Sequence, residues 1–346
     1  MKSKFLSALL LCFVIAFNSC NQNPGAENQT TPALSKEQVN KQAYLEIVKA
    51  FETGVTDSLG KYVAENTVSH NEPMPGVTST GLQQMKDVIA LYRKSFTNIK
   101  MQYYHVIAEG DMLYAHGSWS GNNTGEYMGM PATNKAVSNV EFVDILRYEN
   151  GKAAEHWAVG DWIKMMAQMG YLPQMDSLPS AAQPSYDWNA TVTSDSAKIA
   201  KMKAGYATVL NMIQSGDLSA LDQYIAPDFT EHIQVPGQTF AQGVEGAKQS
   251  MTMFKQAYPD LKMTVERVNA EGDVLFAYVW VEGTFAGGFG LPPSSVGKHV
   301  KFAAVDILKF NAEGKATDHW EVGDHYGEMI QLGVIPVQGA NASAAK

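Results

Sequence analysis

The stretch VDILRYENGKAAEHWAVGD at residues 143–161 returns near the C-terminus as VDILKFNAEGKATDHWEVGD at residues 305–324. Each copy holds an apolar run, a turn around Gly-Lys, and a second run that ends on an aspartate. The later copy carries one inserted residue before its glycine. A period of about 160 residues is the size of a domain rather than of a solenoid unit. The repetition therefore predicts two homologous domains in tandem.

Further markers keep the same order in both copies. They are His70 with His232, Gly81 with Gly243, Gly110-Asp111 with Gly272-Asp273, and Gln168-x-Gly170 with Gln331-x-Gly333. The segment between the copies is rich in Ser, Ala and Pro, which is typical of a linker. The predicted organisation is a signal peptide at 1–19, a tether at 20–35, a first domain at 36–175, a linker at 176–195, a second domain at 196–338 and a disordered tail at 339–346.

The N-terminus predicts export and lipid attachment. A basic start precedes an apolar stretch from Phe5 to Phe17, which is too short to span a bilayer but suits a signal peptide. It ends in Ser19-Cys20, which resembles the lipobox of bacterial lipoproteins. This resemblance implies cleavage before Cys20 and acylation of its sulfur. The expected location is the bacterial cell envelope, on its periplasmic or surface face, with the lipid as the only membrane attachment. An ordinary secretory peptide is the alternative.

Composition excludes several classes of function. Lys plus Arg number 26 against 35 Asp plus Glu, a net charge of −9, so no basic surface for nucleic acid is expected. The two cysteines are Cys12, inside the signal peptide, and Cys20. The mature domains then have no thiol for a disulfide, a metal site or a nucleophile. Apolar residues make up 45% of the chain, which is enough for globular cores.

Both copies show the same pattern of predicted elements. A helix opens each one, at Lys36–Phe51 and at Ser196–Gln214, and a second helix follows Gly81 or Gly243. Four strands come next, at 99–108, 111–120, 136–148 and 152–162, then at 261–270, 273–283, 298–310 and 315–325. Helices first and an antiparallel meander afterwards predict an α+β fold, with one curved sheet around helices and a cavity on the inner side of the strands.

The segment TGEYMGMPATNK at 124–135 resembles the Gly-Glu-x-x-Gly-x-Pro-Ala-Thr-Gly motif of SnoaL-like polyketide cyclases, also called ester cyclases. His156-Trp157-x-x-x-Asp161 and Gln168-x-Gly170 resemble the same family. The resemblance implies two cone-shaped domains of the nuclear transport factor 2-like superfamily. It also implies aldol-type proton transfer by an aspartate, without cofactor or metal. That superfamily hosts isomerases, cyclases and non-catalytic binders, so function transfers less securely than fold.

Asp161 and Asp324 are the first catalytic candidates, as general acid or base. Strand alternation puts Asp161 on the same side as Trp157, and Asp324 on the same side as Trp320. A carboxyl group buried beside such residues has a raised pKa and makes a good base next to a carbonyl. The alternative is structural: the aspartates cap the following helices, and the tryptophans belong to the core.

His70 and His232 are the second pair of catalytic candidates, because a histidine at the end of a strand could polarise a carbonyl or hold the aspartate. A structural histidine is the alternative. His156 and His319 fall on the opposite side of their strand, where sheet packing or an interface is expected. Trp157, Trp320, Tyr104 and Trp119 are candidate ligand-binding residues, although aromatic residues in strands usually belong to the core.

No nucleotide-binding motif or complete set of metal ligands occurs, so neither cofactor nor metal is expected. The second copy has Gly287-Gly288 where the first has Gly125-Glu126, which makes the first domain the better catalytic candidate. Three functions stay open: a cofactor-free cyclase, isomerase or lyase acting on a small hydrophobic carbonyl compound, a non-catalytic small-molecule binder, or an interaction module. The chain is expected to be a monomer with pseudo-dimeric domains, or a homodimer.

Overall fold

A computed structural model describes residues 34–71, 74–173, 183–190, 192–233 and 240–336, and all of them belong to one compact unit. The predicted signal peptide, nearly all of the tether, part of the linker and the C-terminal tail lie outside the described residues. None of the helices described there is long and apolar enough to cross a membrane.

Both domains contain the same elements in the same order. The first holds α1 (Lys36–Thr53), β1 (Val63–Ser69), α2 (Gly81–Ser95), β2 (Phe96–Glu109), β3 (Met112–Asn123), β4 (Ala136–Glu149), β5 (Lys152–Gly160) and α3 (Trp162–Met169). The second holds α4 (Ser196–Ser215), β6 (Ile225–Glu231), α5 (Gly243–Ala257), β7 (Lys262–Glu271), β8 (Val274–Thr284), β9 (His299–Phe310), β10 (Ala316–Gly323) and α6 (His325–Gln331). The predicted helices and strands are confirmed to within a few residues.

Each domain has one five-stranded sheet, with the order β1-β5-β4-β3-β2 in the first and β6-β10-β9-β8-β7 in the second. The last four strands of each domain form the antiparallel meander that the hairpin turns predict. The short strands β1 and β6 pair in parallel with β5 and β10. Helices packed against a mostly antiparallel sheet confirm the α+β prediction.

Local sequence sets the ends of the opening helices. Ser35 and Gln38 form a capping box at the start of α1, and Asp195 accepts two backbone N–H groups at the start of α4. The backbone geometry explains why glycine recurs at Gly81. Its φ is +66°, and a Cβ there would stand 2.2 Å from the Glu65 carbonyl oxygen. Gly243 repeats this geometry, with φ +71° and 2.3 Å to the Pro227 oxygen.

The two sides of each sheet are buried differently. The helix-facing side packs against the helices of its own domain, through residues such as Leu113, Trp119 and Leu146 in the first domain. The domain-facing side packs against the other domain. It contributes Tyr114, Val143, Ile145, Trp157 and Val159 from the first sheet, and Phe276, Tyr278, Val305, Ile307 and Trp320 from the second. The sheets therefore form the interface between the domains.

Reciprocal hydrogen bonds and ion pairs connect the two domains at the edge strands β2 and β7. Glu271 accepts from the Ala108 backbone N–H and lies 2.6 Å from Lys41 Nζ. Glu109 accepts from the Ala270 N–H and lies 2.7 Å from Lys203 Nζ. Each carboxylate thus accepts from a backbone N–H on the edge strand of the other sheet. An edge strand has no further strand beside it to accept from that N–H.

Candidate functional site

The strand alternation predicted for Trp157, Val159 and Asp161 is correct, but the side they share faces the other domain rather than a cavity. Trp157 is 6% exposed, with the His70 ring stacked on one face at 4.3 Å. The Arg267 guanidinium from the second domain lies 3.9 Å from the centre of the Trp157 ring. This side of the first sheet is therefore part of the domain interface.

Trp320 repeats the arrangement in the second domain. Its ring stacks on His232 at 4.3 Å and contacts His105 of the first domain at 4.5 Å. Burial, together with neighbouring His116, lowers the pKa of His105 to about 3, so the ring packed on Trp320 is neutral. The two tryptophans contribute to the domain interface, and their role in ligand binding stays a prediction.

The histidines His70 and His232 make matching contacts beside these tryptophans. The His70 Nε2 lies 2.7 Å from Glu155, and the His232 Nε2 lies 3.0 Å from Asp318. Each pair joins the end of β1 or β6 to the neighbouring strand β5 or β10. These contacts fit the alternative in which both histidines are structural. The catalytic role of both histidines stays a prediction.

Asp161 and Asp324 occupy the N-cap positions of α3 and α6. Their carboxylates accept from the backbone N–H of Lys164 at 3.0 Å and of Gly327 at 2.9 Å. This is the capping role weighed as the alternative to catalysis. Burial raises the pKa of Asp161, while the capping hydrogen bond opposes the shift. The raised pKa agrees with the sequence argument, but the capping contacts alone give no acid–base function.

Tyr104 and Trp119 lie on different sides of the first sheet. Tyr104 sits at a register shift in β2, where its hydroxyl lies 2.7 Å from the Ser118 hydroxyl and its ring contacts His116. Trp119 is on the helix-facing side, 7% exposed, against the rings of Tyr92 and Phe96. Trp119 is thus part of the first domain's core.

His156 lies on the helix-facing side of the sheet, opposite Trp157, as the strand alternation predicts. Its Nε2 is 3.2 Å from Asp144 Oδ1, and its Nδ1 is 3.3 Å from the Asn71 side-chain nitrogen. The Tyr44 hydroxyl donates to the other Asp144 oxygen at 2.6 Å. The side chains of Asp144 and His156 are each 23% exposed, so solvent reaches a carboxylate–imidazole pair in an otherwise apolar interior.

Asp144 and Tyr44 are not among the residues predicted from the sequence. Asp144 stands within the repeated stretch VDIL, and its counterpart is Asp306. A carboxylate placed between apolar residues on the same strand in both copies is the pattern that points to it.

The second domain surrounds His319 with two carboxylates. Its Nδ1 lies 3.0 Å from Glu231, and its Nε2 lies 3.4 Å from Asp306, which also accepts from the Tyr206 hydroxyl. Burial acts against the charged ring, but Glu231 and Asp306 outweigh it and raise the pKa of His319 well above its ordinary value. Each ring nitrogen of His319 thus faces a carboxylate, an arrangement that favours the charged imidazolium form.

A second ion-paired histidine follows in α6. His325 lies 2.8 Å from Glu328 and 3.2 Å from Glu321, and Glu328 also accepts from the Tyr258 hydroxyl. The two carboxylates raise the pKa of His325 above its ordinary value, although its side chain is 46% exposed. The described residues include no group of three or more His, Cys, Asp or Glu arranged to hold a metal ion.

The comparisons with known proteins agree with the repeat. The family described as SnoaL-like polyketide cyclase matches residues 41–169 and again residues 203–332, together more than half of the chain. The chain belongs to this family. No curated protein matches the sequence.

Among solved structures, TsrD from Streptomyces laurentii is 24% identical over 40% of this chain and 100% of its own, with a TM-score of 0.37. AclR, a putative hydroxylase from Streptomyces galilaeus, is 26% identical over 40% of this chain and 84% of its own, with a TM-score of 0.34. A putative SnoaL-like polyketide cyclase from Jannaschia sp. CCS1 is 18% identical over 41% and 99%, with a TM-score of 0.36.

The two SnoaL-like domains therefore offer different chemistry at equivalent positions. In the first, Asp144 Oδ1 accepts from Nε2 of His156, and the Asn71 side-chain N–H donates to Nδ1. In the second, both nitrogens of His319 face carboxylates, so the ring has no free lone pair.

An apolar depression of about 350 Å³ on the second domain, lined by residues that include Phe285 and Val296, shares no residue with either histidine cluster.

Proposed function

We propose that the first SnoaL-like domain is a cofactor-free acid–base catalyst for a hydrophobic carbonyl compound, of the cyclase, isomerase or lyase type. The observation that carries the proposal is the solvent-reachable Asp144–His156 pair inside an apolar core. With its Nε2–H donated to a carboxylate, the His156 ring carries a lone pair on Nδ1, which can take a proton once the 3.3 Å hydrogen bond from Asn71 opens.

The proposed step is removal of a proton from the carbon next to the carbonyl group. The C–H bond breaks, its electron pair moves to form the enolate, and Nδ1 of His156 takes the proton. Asp144, oriented by the Tyr44 hydroxyl, stabilises the resulting imidazolium. The Asn71 amide has a second N–H that can donate to the enolate oxygen. The same proton returns when the enolate carbon attacks an internal carbonyl or is reprotonated, so no oxidant or cofactor is consumed.

The second domain is proposed to support the first rather than to repeat its reaction. His319 already holds its proton against Glu231 and Asp306, and it would have to lose two ion pairs before it could act as a base. This contrast gives a physical reason, beside the altered Gly287-Gly288 motif, for assigning turnover to the first domain.

Asp144→Asn and His156→Gln are each expected to lower turnover by about 10²-fold or more, because general acid–base groups contribute 10²–10⁴-fold. Asp161→Asn is the matched control: it changes the carboxylate predicted from sequence, which lies on the domain-facing side. The wild type and the three variants would be incubated with an extract of the bacterial envelope and medium, and the small molecules compared by mass spectrometry.

A product that Asp144→Asn still makes at the wild-type rate, but Asp161→Asn does not, would return the catalytic role to Asp161. If all four proteins retain a compound unchanged, the catalytic proposal falls. The first domain is then the alternative, a small-molecule-binding domain.

We also propose that the chain is an envelope lipoprotein anchored through Cys20, on the strength of its basic start, apolar stretch and Ser19-Cys20. Cys20→Ala is expected to move the protein from the membrane fraction to the soluble fraction and to abolish incorporation of labelled fatty acid, since no other lipid attachment is expected. Cys12→Ala is the control, because it alters the other cysteine without touching the cleavage site. Equal membrane binding of both variants would refute the anchor.

A further inference from the structure

Two histidines pack against each other at the domain interface, apart from the proposed catalytic pair. His105 in β2 and His116 in β3 are direct partners across the two strands, and their Nδ1 atoms are 3.2 Å apart. The His116 side chain is fully buried, and the His105 ring contacts Trp320 of the second domain at 4.5 Å. The two rings therefore lie under one half of the interface, which we call the Trp320 half.

The contact between the two rings holds one proton. Of two imidazole nitrogens at hydrogen-bond distance, one donates its N–H and the other accepts with its lone pair. Nε2 of His116 lies 3.3 Å from Glu141 Oε2, and the Tyr104 ring packs on the same imidazole. If both rings became imidazolium ions, two N–H groups would face each other, because a charged ring carries a proton on both nitrogens. A second proton would thus turn an attractive contact into a repulsive one.

The surroundings of His105 also oppose a positive charge on its ring. Burial has the largest effect and, together with His116, Lys309 and His232, lowers the pKa of His105 to about 3. Lys309 and His232 belong to the second domain, so these unfavourable charge contacts cross the interface. Asp318 is the carboxylate that contacts the His232 ring, at 3.0 Å. A proton on His105 therefore becomes more favourable when the domains separate.

The other half of the interface has a permanent cation at the equivalent position. Arg267 in β7 corresponds to His105 in β2, and it lies on Trp157 as His105 lies on Trp320. Its guanidinium is 2.7 Å from Glu266, and an arginine in a protein does not lose its proton. The residue packed on the tryptophan can therefore change its charge in the Trp320 half, but not in the half that contains Arg267.

We propose that the His105–His116 pair is an acid-sensitive contact between the two domains, which holds them together while the rings share one proton and weakens their packing when His105 takes up a second. The element with two states is the packing of one sheet on the other, which buries apolar side chains such as Val305 and Ile307. The inference does not rest on the proposed function, because both histidines lie on the domain-facing side and the proposed catalytic pair lies on the helix-facing side.

Opening of the interface is expected to take up a proton. The pKa of His105 is about 3 while the domains are packed, and hydration of the ring would return the pKa toward the ordinary 6.5. The interface is therefore most stable above pH 6.5, where the ring is neutral in both states. As the pH falls from 6.5 toward 3, the equilibrium constant for opening rises by up to about tenfold per pH unit.

The test measures opening as the rate at which a buried thiol reacts with a labelling reagent. Val305→Cys places the thiol inside the interface, and Ala304→Cys places one on the helix-facing side of the same strand, in full chains whose Cys12 and Cys20 are changed to alanine. After correction for ionisation of the thiol itself, the opening constant at position 305 is expected to be about tenfold larger at pH 5.5 than at pH 7.5. It should exceed the constant at position 304 at both pH values, since that thiol is exposed only when the domain unfolds.

His105→Gln can still form a hydrogen bond with His116 but takes up no proton, so it is expected to reduce the tenfold rise to less than about twofold. His105→Phe keeps a flat ring against Trp320 and should remove the rise as well, which provides a second variant should the first fail to fold. His299→Gln is the matched control, because it removes an exposed histidine of the second domain and should leave the rise unchanged. Circular dichroism of each variant verifies that it is folded.

Three results would overturn the inference. They are a tenfold rise that persists in both His105 variants, no rise in the chain that retains His105, and equal opening constants at positions 304 and 305, which would mean that the domains do not separate without unfolding. None of these measurements involves turnover, so the inference and the proposed function can fail independently.

Discussion

His319→Gln is expected to destabilise the second domain by about 3–5 kcal/mol, the cost of leaving buried charge without its partner. The side chains of Glu231 and Asp306 are only 9% and 11% exposed, and His319 is the cation that both carboxylates contact. Glutamine fills a similar volume and can donate to one of the carboxylates, but it brings no positive charge. The free energy of unfolding, from urea denaturation followed by circular dichroism, measures the loss.

The contacts of His319 with Glu231 and Asp306 also predict how the stability of the protein depends on pH. The folded pKa of His319 is raised above the ordinary 6.5, so folding takes up a proton that the unfolded chain would release. The stabilisation is complete below about pH 6.5 and is lost as the pH rises through the raised folded pKa. The difference between wild type and His319→Gln should therefore shrink toward alkaline pH.

His299→Gln is the control for His319→Gln. His299 lies 3.3 Å from Glu282, but its side chain is 56% exposed, and surface pairs of this kind contribute about 0–1 kcal/mol. Equal losses in the two variants, or a loss in His319→Gln that does not change between pH 6 and pH 9, would show that His319 is not a buried imidazolium.

The sequence was sufficient to predict the two domains, the order of their elements and the alternation within each strand. It did not reveal which side of the sheet faces the helices. Alternation separates the two sides clearly when one of them is solvated and polar. Here both sides are buried: Leu113 and Leu146 pack on the helices, and Tyr114 and Ile145 pack on the other domain.

That ambiguity explains why the sequence pointed to Asp161 and not to Asp144. An aspartate beside a tryptophan suggests a tuned carboxyl group in a pocket, and the same pattern suits a helix cap beside an interface residue. Asp144 is not among the residues predicted from the sequence, and His156 is predicted to serve sheet packing or an interface. Their pairing across β4 and β5, where Leu146 is the direct partner of His156, places both on the helix-facing side. Only the register of the strands, which sequence periodicity does not provide, brings the two side chains together.

Trp157→Ala and Trp320→Ala are each expected to cost about 3–5 kcal/mol of stability, because each truncates a large buried ring in the domain interface. Trp157→Ala should cost more by about 1 kcal/mol, since it also removes the contact with the Arg267 cation, whereas the His105 ring on Trp320 is neutral. Weaker coupling should also split thermal unfolding into two transitions, as seen by differential scanning calorimetry. Trp157→Phe, which keeps a ring against His70, should retain one transition. If Trp157→Ala instead unfolds like the wild type and loses only ligand affinity, then Trp157 binds ligand and the domain-facing side holds the site.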